Sequence, residues 1–138
     1  MNRKPKLASL ILNAWLIATI LFVSPAHSAT PSPVARDEIA SLLMRLKTSG
    51  CQFKRNGTWH SADEAQVHLQ RKLDYLLKRG AVATAEQFIE RAASKSSVTG
   101  QAYLVKCGSR PPVQTGTWFF VELDELRATS RTPADAPR

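Results

Sequence analysis

The chain has only two cysteines, Cys51 and Cys107, and their spacing excludes a Cys-x-x-Cys redox site. Neither lies near the end of the N-terminal apolar run, which argues against a lipid-modified leader. No second histidine stands at a ligand spacing from His68 and no acid cluster accompanies it, so the sequence implies no zinc site and no cofactor. The Ser-x-x-Lys spacing of Ser/Lys hydrolases is absent around Lys95. Internal repeats are missing as well. Lys54, Arg55, Arg71, Lys72, Lys78, Arg79 and Lys95 are spread among acids rather than gathered in one run, which argues against a nucleic-acid partner.

What is present begins with an export signal. Arg3, Lys4 and Lys6 precede an apolar run from Leu7 to Val23, and Ser24-Pro25-Ala26-His27-Ser28-Ala29 supplies small residues at cleavage positions. The expected division is a signal peptide over 1–28, cleaved after Ser28 or Ala29, a single domain over 29–127, and a disordered Ser, Thr, Pro and Ala tail over 128–138. The alternative for the leader is an uncleaved inner-membrane anchor, because the run approaches the ~18 apolar residues of a spanning helix. Once the leader is removed no stable membrane span is expected. Without Arg3, Lys4 and Lys6 the remainder keeps sixteen of the nineteen basic residues against eleven acids, a net charge of +5. An ordinary solvated surface carries as much.

In an oxidising compartment such as the periplasm, Cys51 and Cys107 read as a structural disulfide. Closing the long loop between them stabilises the fold by about 4 kcal/mol in the chain-entropy picture.

The domain alternates helical and extended signals. Ile39, Leu42, Leu43 and Leu46 mark a first helix, opened near Pro33, with Asp37 and Glu38 in its first turn, Arg45 and Lys47 in its last, and Gly50 at its end. Asn56-Gly57 between Cys51–Arg55 and Thr58–His60 predicts a hairpin with a type I′ turn. Ser61 and Glu64 form a capping box for a second helix with a stripe of Ala65, Leu69, Leu73 and Leu76. Thr84 and Gln87 open a third, burying Phe88, Ile89, Ala92 and Ala93. Tyr103–Cys107 predicts a strand beside the hairpin, and Gly108–Gly116, with Pro111-Pro112, an extended loop outside regular structure. Trp118–Leu123 suits strand or helix, and Phe119, Leu123 and Leu126 favour a closing helix. The expected fold is α+β: about four helices on a three-stranded antiparallel sheet, with one disulfide.

Several fragments together resemble the YfeK-like family of small exported bacterial proteins, a domain of unknown function. They are Cys51–Gly57, Glu64-Ala65 with His68-Leu69 and Lys72, Thr84–Glu86 with Phe88-Ile89, Ala93–Ser97 with Thr99-Gly100 and Tyr103, Cys107, and Trp118 with Glu122-Leu123. The resemblance implies export and brings no activity, substrate or cofactor. The chain departs from the family pattern in a longer Arg110–Val113 loop and a Pro-rich tail.

Two constellations carry candidate chemistry. On the second helix His68 and Lys72, about 40° apart at 100° per residue, border the apolar stripe, on a line that Glu64, Tyr75 and Arg79 extend. They form a candidate acid or base, or simply i, i+4 neighbours that stabilise a helix. Ser94-Lys95-Ser96-Ser97 suits a helix C-terminus better than a nucleophile, because adjacent helical residues do not face one another. A third reading is binding: Lys95, Ser96, Ser97, Thr99 and the Gly100 backbone hold an anion, with Arg55 and the hairpin turn at Asn56 beside them and Tyr103 following. The preferred function is a non-enzymatic binding or adaptor module of the cell envelope, its partner an anionic envelope component or a periplasmic protein. The alternative is a small enzyme using His68, Lys72 or Lys95.

Overall fold

A computed structural model describes residues 29–131, so the expected signal peptide lies outside the described residues. Helix α1, Pro33–Thr48, starts where the Ser32 hydroxyl accepts from the Ala35 amide and proline needs no amide partner. Starting at Pro33 puts Asp37 and Glu38 in its second turn rather than the first, a correction to the dipole reading, while Arg45 and Lys47 do close the helix. Strands β1, Gln52–Arg55, and β2, Thr58–His60, form the expected hairpin. Asn56 and Gly57, at φ 48° and 88°, occupy the left-handed positions of its turn. Helix α2, Ala62–Lys78, has the full capping box, the Glu64 carboxylate accepting from the Ser61 amide and the Glu64 amide donating to the Ser61 hydroxyl.

Helix α3, Ala85–Phe88, is capped by the Thr84 hydroxyl and runs straight into a π-helical turn over Ile89–Ala93. Phe88, Ile89, Ala92 and Ala93 are wholly buried, as their spacing predicts. The wider turn is closed by the Ser94 hydroxyl, which donates 2.7 Å back to the Ile89 carbonyl. Strand β3, Leu104–Lys106, pairs antiparallel with β1 in the register Gln52 to Lys106, so Cys51 and Cys107 flank the paired ends and form the disulfide.

The sheet has four strands, in the order β2-β1-β3-β4, and not the expected three. The extra strand β4, Val113–Gln114, lies inside the segment expected to be irregular. Pro111 and Pro112 have no amide to offer a ladder, but the two residues after them pair with Val105 and Leu104. Helix α4, Thr115–Arg131, settles the ambiguous apolar run as helix and extends through residues 128–131, where the composition predicts a disordered tail; the rest of that expected tail, 132–138, lies outside the described residues. Thr129 and Ser130 sustain it by donating to the carbonyls of Glu125 and Leu126. Gly116 in its first turn is required by close packing, since a Cβ there would overlap the Ser94 hydroxyl.

The core lies between the helices and one face of the sheet. Phe88 and Phe119 meet edge to face at its centre, with Leu42, Leu46, Ile89 and Leu123 around them. Arg127 ties three helices from outside: it binds both Glu38 oxygens, at 2.7 and 3.0 Å, and Glu86 at 2.6 Å. Arg45 reaches Glu122 and Glu125 at 2.7 and 3.1 Å. No described helix is long and apolar enough to cross a membrane.

Candidate functional site

Between the hairpin turn, the middle of α2 and the turn after the π-helical segment lies a cleft of about 420 Å3. Arg55, Asn56, His68, Lys72, Ser96, Ser97 and Tyr103, scattered over five stretches of sequence, all line it. Arg71, Tyr75 and Val98 complete the walls, and none of the lining residues is an acid.

A relay of side chains forms the inner wall. The Arg55 guanidinium lies 2.7 Å from His68 Nδ1, and His68 Nε2 lies 3.1 Å from the Tyr103 hydroxyl. Arginine can only donate, so Nδ1 is the acceptor and the ring proton sits on Nε2, donated to Tyr103. The Tyr103 proton is thereby left to point elsewhere. Burial, then the positive charges of Arg55, Lys72 and Arg71, lower the His68 pKa to about 4, so the ring is neutral at neutral pH. Burial likewise pushes the Tyr103 phenol up from its ordinary value. With both ring nitrogens engaged, His68 has no free lone pair with which to take a proton.

Lys72 is engaged as well. Its ammonium donates to the carbonyls of Ala92, at 2.9 Å, and Lys95, at 2.6 Å, and sits 5.1 Å from the centre of the Tyr103 ring. The carbonyls freed where the α3 segment ends thus find a cation, as the helix dipole favours. Burial and then the Lys95 charge bring the Lys72 pKa down to about 8.

The Ser96–Gln101 turn is closed on itself. Buried Ser96 accepts through its hydroxyl from the amides of Val98 and Thr99, and the Gly100 amide donates to the Ser96 carbonyl. The Thr99 hydroxyl accepts from the Gln101 amide and donates 2.9 Å to Asn56 Oδ1, which fastens this turn to the hairpin. The Thr99 and Gly100 amides are therefore spent inside the turn rather than offered to an anion. Lys95 is exposed and gives its carbonyl to Lys72, but neither it nor Thr99 lines the cleft, which corrects the expectation that both bind there.

Arg71 and Val98 were not singled out from sequence. Arg71 follows His68 by three residues, a spacing that puts it on the neighbouring line of the same helix and would have found it. Val98 gave no such signal, because its place depends on how the turn folds. A smaller cavity of about 30 Å3 lies behind the wall, sharing Arg55, His68 and Tyr103. The hydroxyl of Thr115, another of its lining residues, is buried without a hydrogen-bond partner. No group of three or more His, Cys, Asp or Glu among the described residues is placed to hold a metal ion.

The cleft belongs to the part of the chain with relatives. Residues 33–127 match the model of a family described as "Family of unknown function (DUF5329)". The chain belongs to this family. It is also 50% identical over 51 residues to the "Uncharacterized protein YfeK" of Salmonella typhimurium, a stretch that spans 37% of this chain and 41% of that protein. The YfeK-like resemblance of the sequence therefore holds. No solved structure matches the chain.

Proposed function

We propose that this protein is an exported, non-enzymatic binding module whose cleft receives an anionic group of a cell-envelope component. The observation that carries the reading is the charge of the walls: Arg55, Arg71 and Lys72 line the cleft and no carboxylate does. Arg55 and Arg71 form no ion pair with any described residue. Leaving guanidinium groups without acids in a concave site favours an incoming anion, which meets two donor forks and the Tyr103 hydroxyl. Binding is favoured over the enzyme reading because His68 and Lys72, its proposed acid or base, are committed to internal hydrogen bonds. The leader pattern and the disulfide between Cys51 and Cys107 support export.

The test is a titration of acetate and of inorganic phosphate into isotope-labelled protein, followed by amide shifts. Saturable shifts around the cleft, lost in an Arg55→Ala/Arg71→Ala double variant with an unchanged far-ultraviolet spectrum, are expected. Shifts that never saturate, or that survive in the double variant, would overturn the reading. Fractionation of the producing cell, with the mass of the recovered chain, tests export; an intact chain in the cytoplasm would refute it.

A further inference from the structure

The cleft also carries information about what the anion is attached to. We propose that it receives the free C-terminal end of a peptide whose last side chain is apolar. This rests on the anion-binding reading above and narrows it to one class of ligand.

Three observations lead there. The first is the kind of donor on offer. A phosphate site is commonly a concave run of backbone amides. Here the Val98, Thr99, Gly100 and Gln101 amides are all consumed within their own turn. What remains is two planar guanidinium groups, which pair bidentately with a carboxylate, as they do with a phosphate, without help from backbone amides. The second is the surface beside them. Tyr75 and Val98 are 54% and 92% exposed on opposite lips, one on α2 and one on the turn, and both face the same cleft. The Arg79 guanidinium lies over the Tyr75 ring at 4.5 Å and steadies it. An apolar side chain between these two would cover surface that is otherwise left to water.

The third observation concerns peptide groups. Asn56, a lining residue, uses its Oδ1 to hold Thr99, so its amide nitrogen is not the group spent on that contact, and Ser97 is an exposed hydroxyl in the same lining. Both suit the carbonyl of a preceding peptide bond. The lack of any acid among the lining residues rules against a chain's ammonium end. A cleft of about 420 Å3 also lies in the range of sites that enclose small organic ligands.

The probes are N-acetyl-Leu-Phe as the free acid, the same peptide as its C-terminal amide, N-acetyl-Gly-Gly as the free acid, and acetate, each titrated calorimetrically and by amide shifts. N-acetyl-Leu-Phe acid should bind at least tenfold tighter than its amide and than N-acetyl-Gly-Gly. A Tyr75→Ser/Val98→Ser variant should remove the Phe advantage while leaving N-acetyl-Gly-Gly and acetate unchanged. Equal affinity for the two acids, or acetate binding without peptide binding, would overturn the peptide proposal and leave the anion reading standing. Equal affinity for acid and amide would overturn the peptide proposal, and, together with acetate shifts that never saturate, the anion reading as well.

Discussion

Two regions of this molecule use the same basic side chains in opposite ways. On the helical side Arg127 and Arg45 each hold two carboxylates, and the resulting links join α1 to α3 and α4. On the cleft side Arg55 leans on a neutral imidazole, Lys72 on two carbonyls, and Arg71 on no charged partner. The modest excess of basic residues looks dilute along the sequence, but folding sorts it. Acids gather where helices meet, and cations without acids gather around one concavity. A stability role explains the first arrangement, while the second is unfavourable unless an anion arrives.

The largest effect comes from the disulfide, which fastens the start of β1 to the end of β3, at the opposite end of these strands from the cleft-lining Arg55 and Tyr103. Reducing it, or making Cys51→Ser/Cys107→Ser, should cost about 4 kcal/mol and lower the melting temperature by ten degrees or more. Hydrogen exchange should show protection falling first in β1 and β3, with α1 and α4 retaining theirs longer. An unchanged melting curve in reductant would contradict this.

Next in size is Arg127→Ala. It leaves Glu38, itself largely covered, without its bidentate partner and strips Glu86 of the cation that holds its carboxyl below the usual range. A loss of about 2 kcal/mol is expected by chemical denaturation. A change below the error of the measurement would show that the helical side does not depend on this network.

Acid should act on the cleft side in a particular window. His68 has a folded pKa of about 4 against an unfolded value near 6.5, so the unfolded chain binds the extra proton between these limits. Stability contributed by the neutral ring is present above pH 6.5 and is lost as pH falls towards 4. After discounting for the solvent that screens a half-buried ring, the loss is about 1 kcal/mol. His68→Gln should flatten this part of the pH profile, leaving the acid loss from Glu86, whose sign is the same and whose window lies lower. A profile identical to that of the parent protein would show that the His68 pKa is not depressed on folding.

The elements legible in the sequence are those specified by neighbours a few residues apart. Ser61 with Glu64, Asn56 with Gly57 and the Leu69–Leu73 stripe each carry their own local instruction, and each folds as it reads. What was not legible depends on partners distant along the chain. Val113–Gln114 becomes a strand only because β3 offers a free edge beside it. Residues 128–131 stay helical past a composition that suggests a tail, on a helix already anchored by Phe119, Leu123 and Arg127. The candidate site shows the same limit: the side chains of Arg55, His68 and Tyr103 could be named, but not the order of their hydrogen bonds. For Lys72 the sequence leaves open a candidate base or a helix-stabilising neighbour, because the carbonyls that occupy it lie about twenty residues further on.

The smallest expected effect is the most discriminating one. Arg71→Ala removes a cation as surely as Arg127→Ala does, yet Arg71 is exposed, has no ion pair among the described residues, and its charge lies close enough to His68 to depress that group's pKa. Removing it should leave stability at neutral pH, where His68 is uncharged, within about 0.5 kcal/mol of the parent. The same substitution should weaken acetate binding. Lost stability with unchanged binding would place Arg71 with the structural cations of the helical side and erase the contrast between the two regions. Unchanged stability with weakened binding is the pattern expected of a charge kept for something outside the chain.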